Sequence, residues 1–191
     1  MDDQQSIVIV LGAALLLVGS SVASAGIKYQ PVIIDKYKTG ELKRHPTLEY
    51  NTRPLSGVTH IIVHHSASRT HMAEDFARWH VDQRGWPGIG YHFVIEKDGT
   101  IIQGNPIDLR SYHASPYNTR SIGICLSGNF DQEQPTTAQL QALDWLVADL
   151  RRRLKQFNNG HTLEVLGHRN VSSTSCPGDA LYNYIQKYKF N

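Results

Sequence analysis

The sequence predicts an α/β fold, a single domain with a central mixed β-sheet flanked by helices. Three observations carry this. Short runs rich in β-branched residues, THIIVHH at Thr59 to His65 and SIGICLS at Ser121 to Ser127, read as buried strands. Stretches with apolar residues at helical spacing lie between and after them, and that alternation argues for a sheet covered by helices. The length of 191 residues, 40% hydrophobic and 19% charged, suits one good-sized core plus a tail.

From the amino terminus, Ser6 to Ala25 (SIVIVLGAALLLVGSSVASA) is a run of 20 residues without a charge, long enough to cross a bilayer. Ala23-Ser24-Ala25 also has the small-x-small pattern of a signal-peptidase site, so residues 1–25 read as a membrane anchor or a cleaved signal. A basic n-region is missing, because Asp2 and Asp3 are the charges that precede the run. Residues 26–57 read as a connector with Pro31, Pro46 and Pro54, a basic excess and one short strand at Val32 to Ile34.

The domain proper is expected over residues 58–191. After the strand ending at His65, a helix containing Phe76, Trp79 and His80 stops before Gly85 and Pro87. Tyr91 to Glu96 and Thr100 to Gln103 flank Lys97-Asp98-Gly99, which is hairpin turn chemistry. The clearest helix runs from Thr137 to about Phe157, with Leu140, Leu143, Leu146, Val147, Leu150 and Leu154 on one face and Arg151 to Arg153 near its C-terminal end. A strand at Leu163 to Leu166 and a helix from Asp179 to Lys187 complete the chain.

The formal net charge of +2 is too near neutral to argue for a nucleic-acid partner. Two cysteines, Cys125 and Cys176, in segments of different character do not make a disulfide framework. Cys125, inside an apolar strand, reads as a core thiol.

Candidate chemistry gathers at two places. His64 and His65 end a buried strand and point to opposite faces of the sheet, so one of them can face a given cleft. In GHRNVSSTSCPG, Gly167 to Gly178, His168 follows an apolar strand, and a loop stiffened by Pro177 can bring Cys176 back to it. Imidazole nitrogen and thiolate are preferred zinc ligands, and three protein ligands with a fourth position open is the arrangement of a hydrolytic zinc. His64, His168 and Cys176 meet that need; the competing reading of a strand-end histidine is structural.

VHHSA at Val63 to Ala67, WHVDQRGWPGIGYHFVIEKDG at Trp79 to Gly99, HASPYNTRSIGICLSGNF at His113 to Phe130 and GHRNVSSTSCPG occur in the order of the motifs of a known family. Over about 130 residues the chain resembles the type 2 N-acetylmuramoyl-L-alanine amidases, a family that includes phage amidase lysozymes and animal peptidoglycan recognition proteins.

The resemblance implies one Zn2+ held by His64, His168 and Cys176, and a role for Tyr91 beside the metal in positioning water or stabilising the oxyanion. It implies hydrolysis of the bond between N-acetylmuramic acid and L-alanine in peptidoglycan. Recognition proteins without catalysis typically lack the cysteine, so Cys176 favours an enzyme over a binding receptor. Thr174 stands where phage amidases carry a lysine that assists the oxyanion, and it brings a hydroxyl without a charge. His113 and Asn118 match a loop beside the substrate cleft and read either as substrate contacts or as loop structure.

His65 reads as structural, Trp79 and Trp86 as packing residues, with stacking on glycan the other reading for a tryptophan near a sugar groove, and His92 as facing away from the metal. Together these readings describe a monomeric enzyme, membrane-anchored through residues 6–25 or exported, with its domain facing the cell wall.

Overall fold

The computed structural model describes residues 29–190. The apolar run at residues 6–25 lies outside them, and among the described residues no helix is long and apolar enough to cross a membrane. The elements in chain order are β1 (Ile33–Asp35), α1 (Lys36–Thr39), β2 (His60–His65), α2 (Ala73–Arg84), β3 (Phe93–Ile95), β4 (Ile101–Gln103), β5 (Ser121–Leu126), α3 (Thr137–Leu154), β6 (Glu164–Gly167) and α4 (Asp179–Ile185).

The strands form one six-stranded sheet in the order β1-β4-β3-β5-β2-β6. β2 sits between β5 and β6 and runs parallel to both, β3 is parallel to β5, and β3 and β4 form the antiparallel hairpin expected around Lys97 to Gly99. The sheet is therefore mixed, and helices lie on both faces.

The period of two in β2 sorts its side chains. Ile61 and Val63 join Ile122, Ile124 and Leu126 in the larger core, against Leu143, Leu146, Leu150 and Leu154 of α3. The other face carries Val94, Ile102 and Cys125, packed under Ala73, Phe76 and Ala77 of α2. Cys125 is fully buried there, as expected of a core thiol.

Helix α3 begins with a capping box. Thr136 Oγ1 accepts from the Gln139 N–H and Gln139 Oε1 accepts from the Thr136 N–H, both at 3.1 Å. It ends at Leu154, a turn earlier than periodicity suggested, because Phe157 is exposed and adds nothing to the core.

Residues 29–57 differ most from expectation. In place of a solvated connector, they lay β1 along β4 at one edge of the sheet and bury Leu42, Tyr50 and Arg53. The Tyr50 hydroxyl donates to the Gly88 carbonyl at 2.9 Å. Apolar and polar groups are satisfied together there, so the segment covers the sheet.

Candidate metal centre

β2 and β6 are parallel neighbours, so their C-terminal ends lie side by side, with His64 at one and His168 just beyond the other. Cys176 folds back to the same point. One donor atom from each of the three side chains lies within 4.8 Å of the others. Cys176 Sγ is 3.7 Å from His64 Nδ1. Around a tetrahedral zinc with its usual bond lengths, ligand atoms stand roughly 3.3–3.6 Å apart, so small adjustments would bring this donor set around the ion. Two imidazoles and a thiol are also the right donors for zinc.

The loop that carries Cys176 is stapled by Arg169. The Arg169 N–H donates to the Cys176 carbonyl at 2.8 Å, Nε donates to the Ser175 carbonyl at 3.1 Å, and Nη1 pairs with Asp179 at 2.7 Å. Gly178, with φ at 82°, closes the loop where an added Cβ would stand 2.5 Å from the Phe130 carbonyl carbon. The His65 backbone N–H points at Cys176 Sγ, 3.4 Å away, while the His65 ring turns to the opposite face and accepts from the Phe130 N–H at 3.2 Å. The expected division between His64 and His65 is therefore present.

Burial lowers the pKa of His64 well below its ordinary value, lowers that of His168, and brings His113 down to about 3. Neutral imidazoles are the form that binds metal. Burial also pushes the Cys176 thiol up to about 12, so metal binding would have to displace its proton.

The Tyr91 ring lies 5.3 Å from that of His64. Burial raises the Tyr91 pKa well above 10, which keeps the phenol a hydrogen-bond donor. Thr174 is exposed at the mouth of the loop, and its Oγ1 accepts from the Cys176 N–H at 3.2 Å, leaving the hydroxyl proton free to donate. A cleft of about 530 Å³ shares Tyr91 with the centre and runs along α2 past His80 and Trp79. Trp79, expected as packing, is 47% exposed on this wall and stacks on Arg84. Trp86 packs as expected, flat against His80.

His113 and Asn118 do not line that cleft. His113 is buried, with Nδ1 3.1 Å from His64 Nε2. Asn118 Oδ1 accepts from the backbone N–H groups of His113 and Ala114, at 2.9 and 2.7 Å, and shapes the loop. His92 is fully buried and accepts through Nδ1 from the Gly123 N–H, one layer removed from the centre.

Arg53 was visible in the sequence only as a charge. Its guanidinium is buried and donates to the carbonyls of Ile107, Asn118 and Ser121, bracing the loop that holds His113. Gly123, at the middle of a buried strand, was the one readable sign of a close approach there.

A profile of the N-acetylmuramoyl-L-alanine amidase family matches residues 52–179, a span that holds all three candidate ligands. The chain belongs to this family. Among its amidase-family relatives, peptidoglycan-recognition protein SC2 of Drosophila melanogaster is 34% identical over 139 residues, 69% of this chain and 74% of the relative. The endolysin of Klebsiella phage KP32 is 34% identical over 135 residues, 66% of this chain and 85% of the endolysin.

Solved structures agree with the fold. N-acetylmuramoyl-L-alanine amidase LysC from Clostridium intestinale is similar with a TM-score of 0.66 at 30% identity, covering 85% of this chain and 100% of LysC. Peptidoglycan recognition protein-LE, solved in complex with tracheal cytotoxin, gives a TM-score of 0.71 at 27% identity and covers 82% of this chain and 94% of its own.

Proposed function

We propose that this amidase-family member is a zinc-dependent hydrolase of the bond between N-acetylmuramic acid and L-alanine in bacterial peptidoglycan. The observation that carries the reading is the complete donor set: His64, His168 and Cys176 converge with a spacing that suits a zinc ion. Zinc held there would supply a Lewis acid for the scissile carbonyl and lower the pKa of water toward neutrality.

The chain's own groups do the rest. Tyr91, a protonated phenol whose ring lies 5.3 Å from that of His64 and whose hydroxyl lies against Cys125, would turn that proton to the oxygen that gains charge as the carbonyl becomes tetrahedral. Thr174, beside Cys176, has a free hydroxyl proton to donate, without the full charge of a lysine. The cleft along α2 receives the polymer, with the exposed face of Trp79 available to stack on a sugar ring. Peptidoglycan recognition protein-LE in complex with tracheal cytotoxin, a monomeric peptidoglycan, supports this ligand class. The apolar segment at residues 6–25 fits delivery to, or anchoring at, a membrane with this domain facing the wall.

The test is incubation of the purified protein with peptidoglycan, with and without chelator, scoring freed L-alanine amino groups against new reducing ends. Alanine termini that vanish with chelator and return with zinc are expected. Tight wall binding without products would instead mean a receptor, the reading that the recognition-protein relatives keep in view.

A further inference from the structure

The hydrogen bonds behind His64 run in one direction. Ser121 Oγ donates its only proton to the Tyr117 carbonyl at 2.7 Å, so toward His113 Nε2, 3.2 Å away, it accepts. His113 therefore carries its proton on Nε2 and presents a lone pair at Nδ1. That lone pair faces His64 Nε2 at 3.1 Å, which places the His64 proton on Nε2. His64 Nδ1 is left bare, on the side where Cys176 Sγ lies 3.7 Å away.

The seat of the His113 ring is equally specific. It lies over Gly123 of β5, where an added Cβ would come within 2.6 Å of His113 Cγ and 2.8 Å of Nδ1; the three nearest contacts of that Cβ are all atoms of this ring. The ring meets that of His64 edge-on at a centroid distance of 5.2 Å. Asn118 fixes the backbone beneath it, and Arg53 ties the Asn118 and Ser121 carbonyls together.

We infer that His113, seated on Gly123, is a positioning residue that locks the tautomer and orientation of His64 so that Nδ1 is offered to zinc. This assigns His113 to the metal ligand and not to substrate contact, and it rests on the zinc reading given above. A ligand's outer hydrogen-bond partner fixes its ring and raises its basicity, and loss of such a partner costs about 10- to 100-fold in metal affinity or activity.

The experiment measures zinc affinity by competition with a chromophoric chelator, beside KM and kcat on a soluble muropeptide, for wild type, His113→Ala, His113→Gln, Gly123→Ala and the Gly123→Ala/His113→Ala double variant. Circular dichroism reads the fold of each. His113→Ala weakens zinc binding about 10- to 100-fold. His113→Gln retains more of it, because its amide oxygen can accept from His64 and its amide nitrogen can donate to Ser121. Gly123→Ala weakens zinc binding in the wild-type background and adds little once the ring is gone.

Zinc affinity unchanged in His113→Ala, with KM raised, would make His113 a substrate contact and overturn the proposal while leaving the zinc reading intact. Should His113→Ala fail to fold, wild-type zinc affinity in Gly123→Ala, whose methyl group displaces the ring, would overturn it equally. A wild-type protein that takes up no zinc removes the zinc reading and this inference together.

Discussion

Cys176 Sγ rests 3.7 Å from His64 Nδ1, although 112 positions separate the two residues in the chain. The thiol contributes little to either core, so its replacement tests the centre more than the fold. Cys176→Ser is expected to keep its thermal unfolding temperature within a few degrees and to lose hydrolysis. Its zinc affinity should fall by more than about a hundredfold, beyond the range seen for outer-shell changes. Metal content by atomic emission and release of L-alanine termini check both halves.

Tyr91→Phe removes one hydroxyl and leaves the ring packed against Phe76 and His80. If the phenol donates to the developing oxyanion, kcat falls by roughly 10²–10³ while KM and zinc content change little. Steady-state kinetics on a soluble muropeptide separate this from a binding defect.

Gly178→Ala puts a methyl group against the Phe130 backbone at a φ of 82°. The strain alone is worth roughly 1–3 kcal/mol. The expected result is a lower unfolding temperature together with weaker zinc binding, because the loop that moves is the one carrying Cys176. Calorimetry with and without zinc reads both effects.

Stability should fall with acid before the carboxylates titrate. His80 is buried, stacks on Trp86 and accepts from the Gly90 N–H at 3.2 Å, and burial lowers its pKa from 6.5 to about 4. Between those values the unfolded chain takes up a proton that the native state refuses. The stabilising contribution is therefore complete above about pH 6.5 and is lost as the pH falls toward 4, by roughly 2–3 kcal/mol. His80→Gln, which keeps an acceptor and cannot titrate, should make the fall of unfolding temperature with acid shallower in that window, while His64, His113 and His168, also lowered by burial, keep the remaining slope.

Much of this architecture could be read from local pattern. The alternation in THIIVHH separated His64 from His65, and the leucine spacing of Thr137 to Leu154 located the helix over the larger core. Both rest on periods imposed by backbone geometry, which sequence displays directly. Arg53 could not be read that way: a lone arginine between Thr52 and Pro54 looks solvated until the carbonyls of Ile107, Asn118 and Ser121 close around it. Trp79 could be read as packing or as a stacking surface for glycan, and spacing alone did not choose between them; it lies exposed on the cleft wall. The motif marked His113 as a residue beside the cleft, but its partners are His64 and Ser121, set by which ring nitrogen meets which group, and only the assembled loop shows that.

The brevity of β1 also governs how the molecules meet each other. Unpaired peptide groups at the margin of a sheet invite a strand from another chain, and Val32, Ile33 and Ile34 are apolar enough to make that invitation sticky. Here the margin is only Ile33–Asp35, a landing of roughly 10 Å. Asp35 then caps α1, accepting from the Lys38 N–H at 2.9 Å, and turns the chain away. An incoming strand finds no run long enough to template on, so crowded copies of this domain are guarded against joining sheet to sheet along that side.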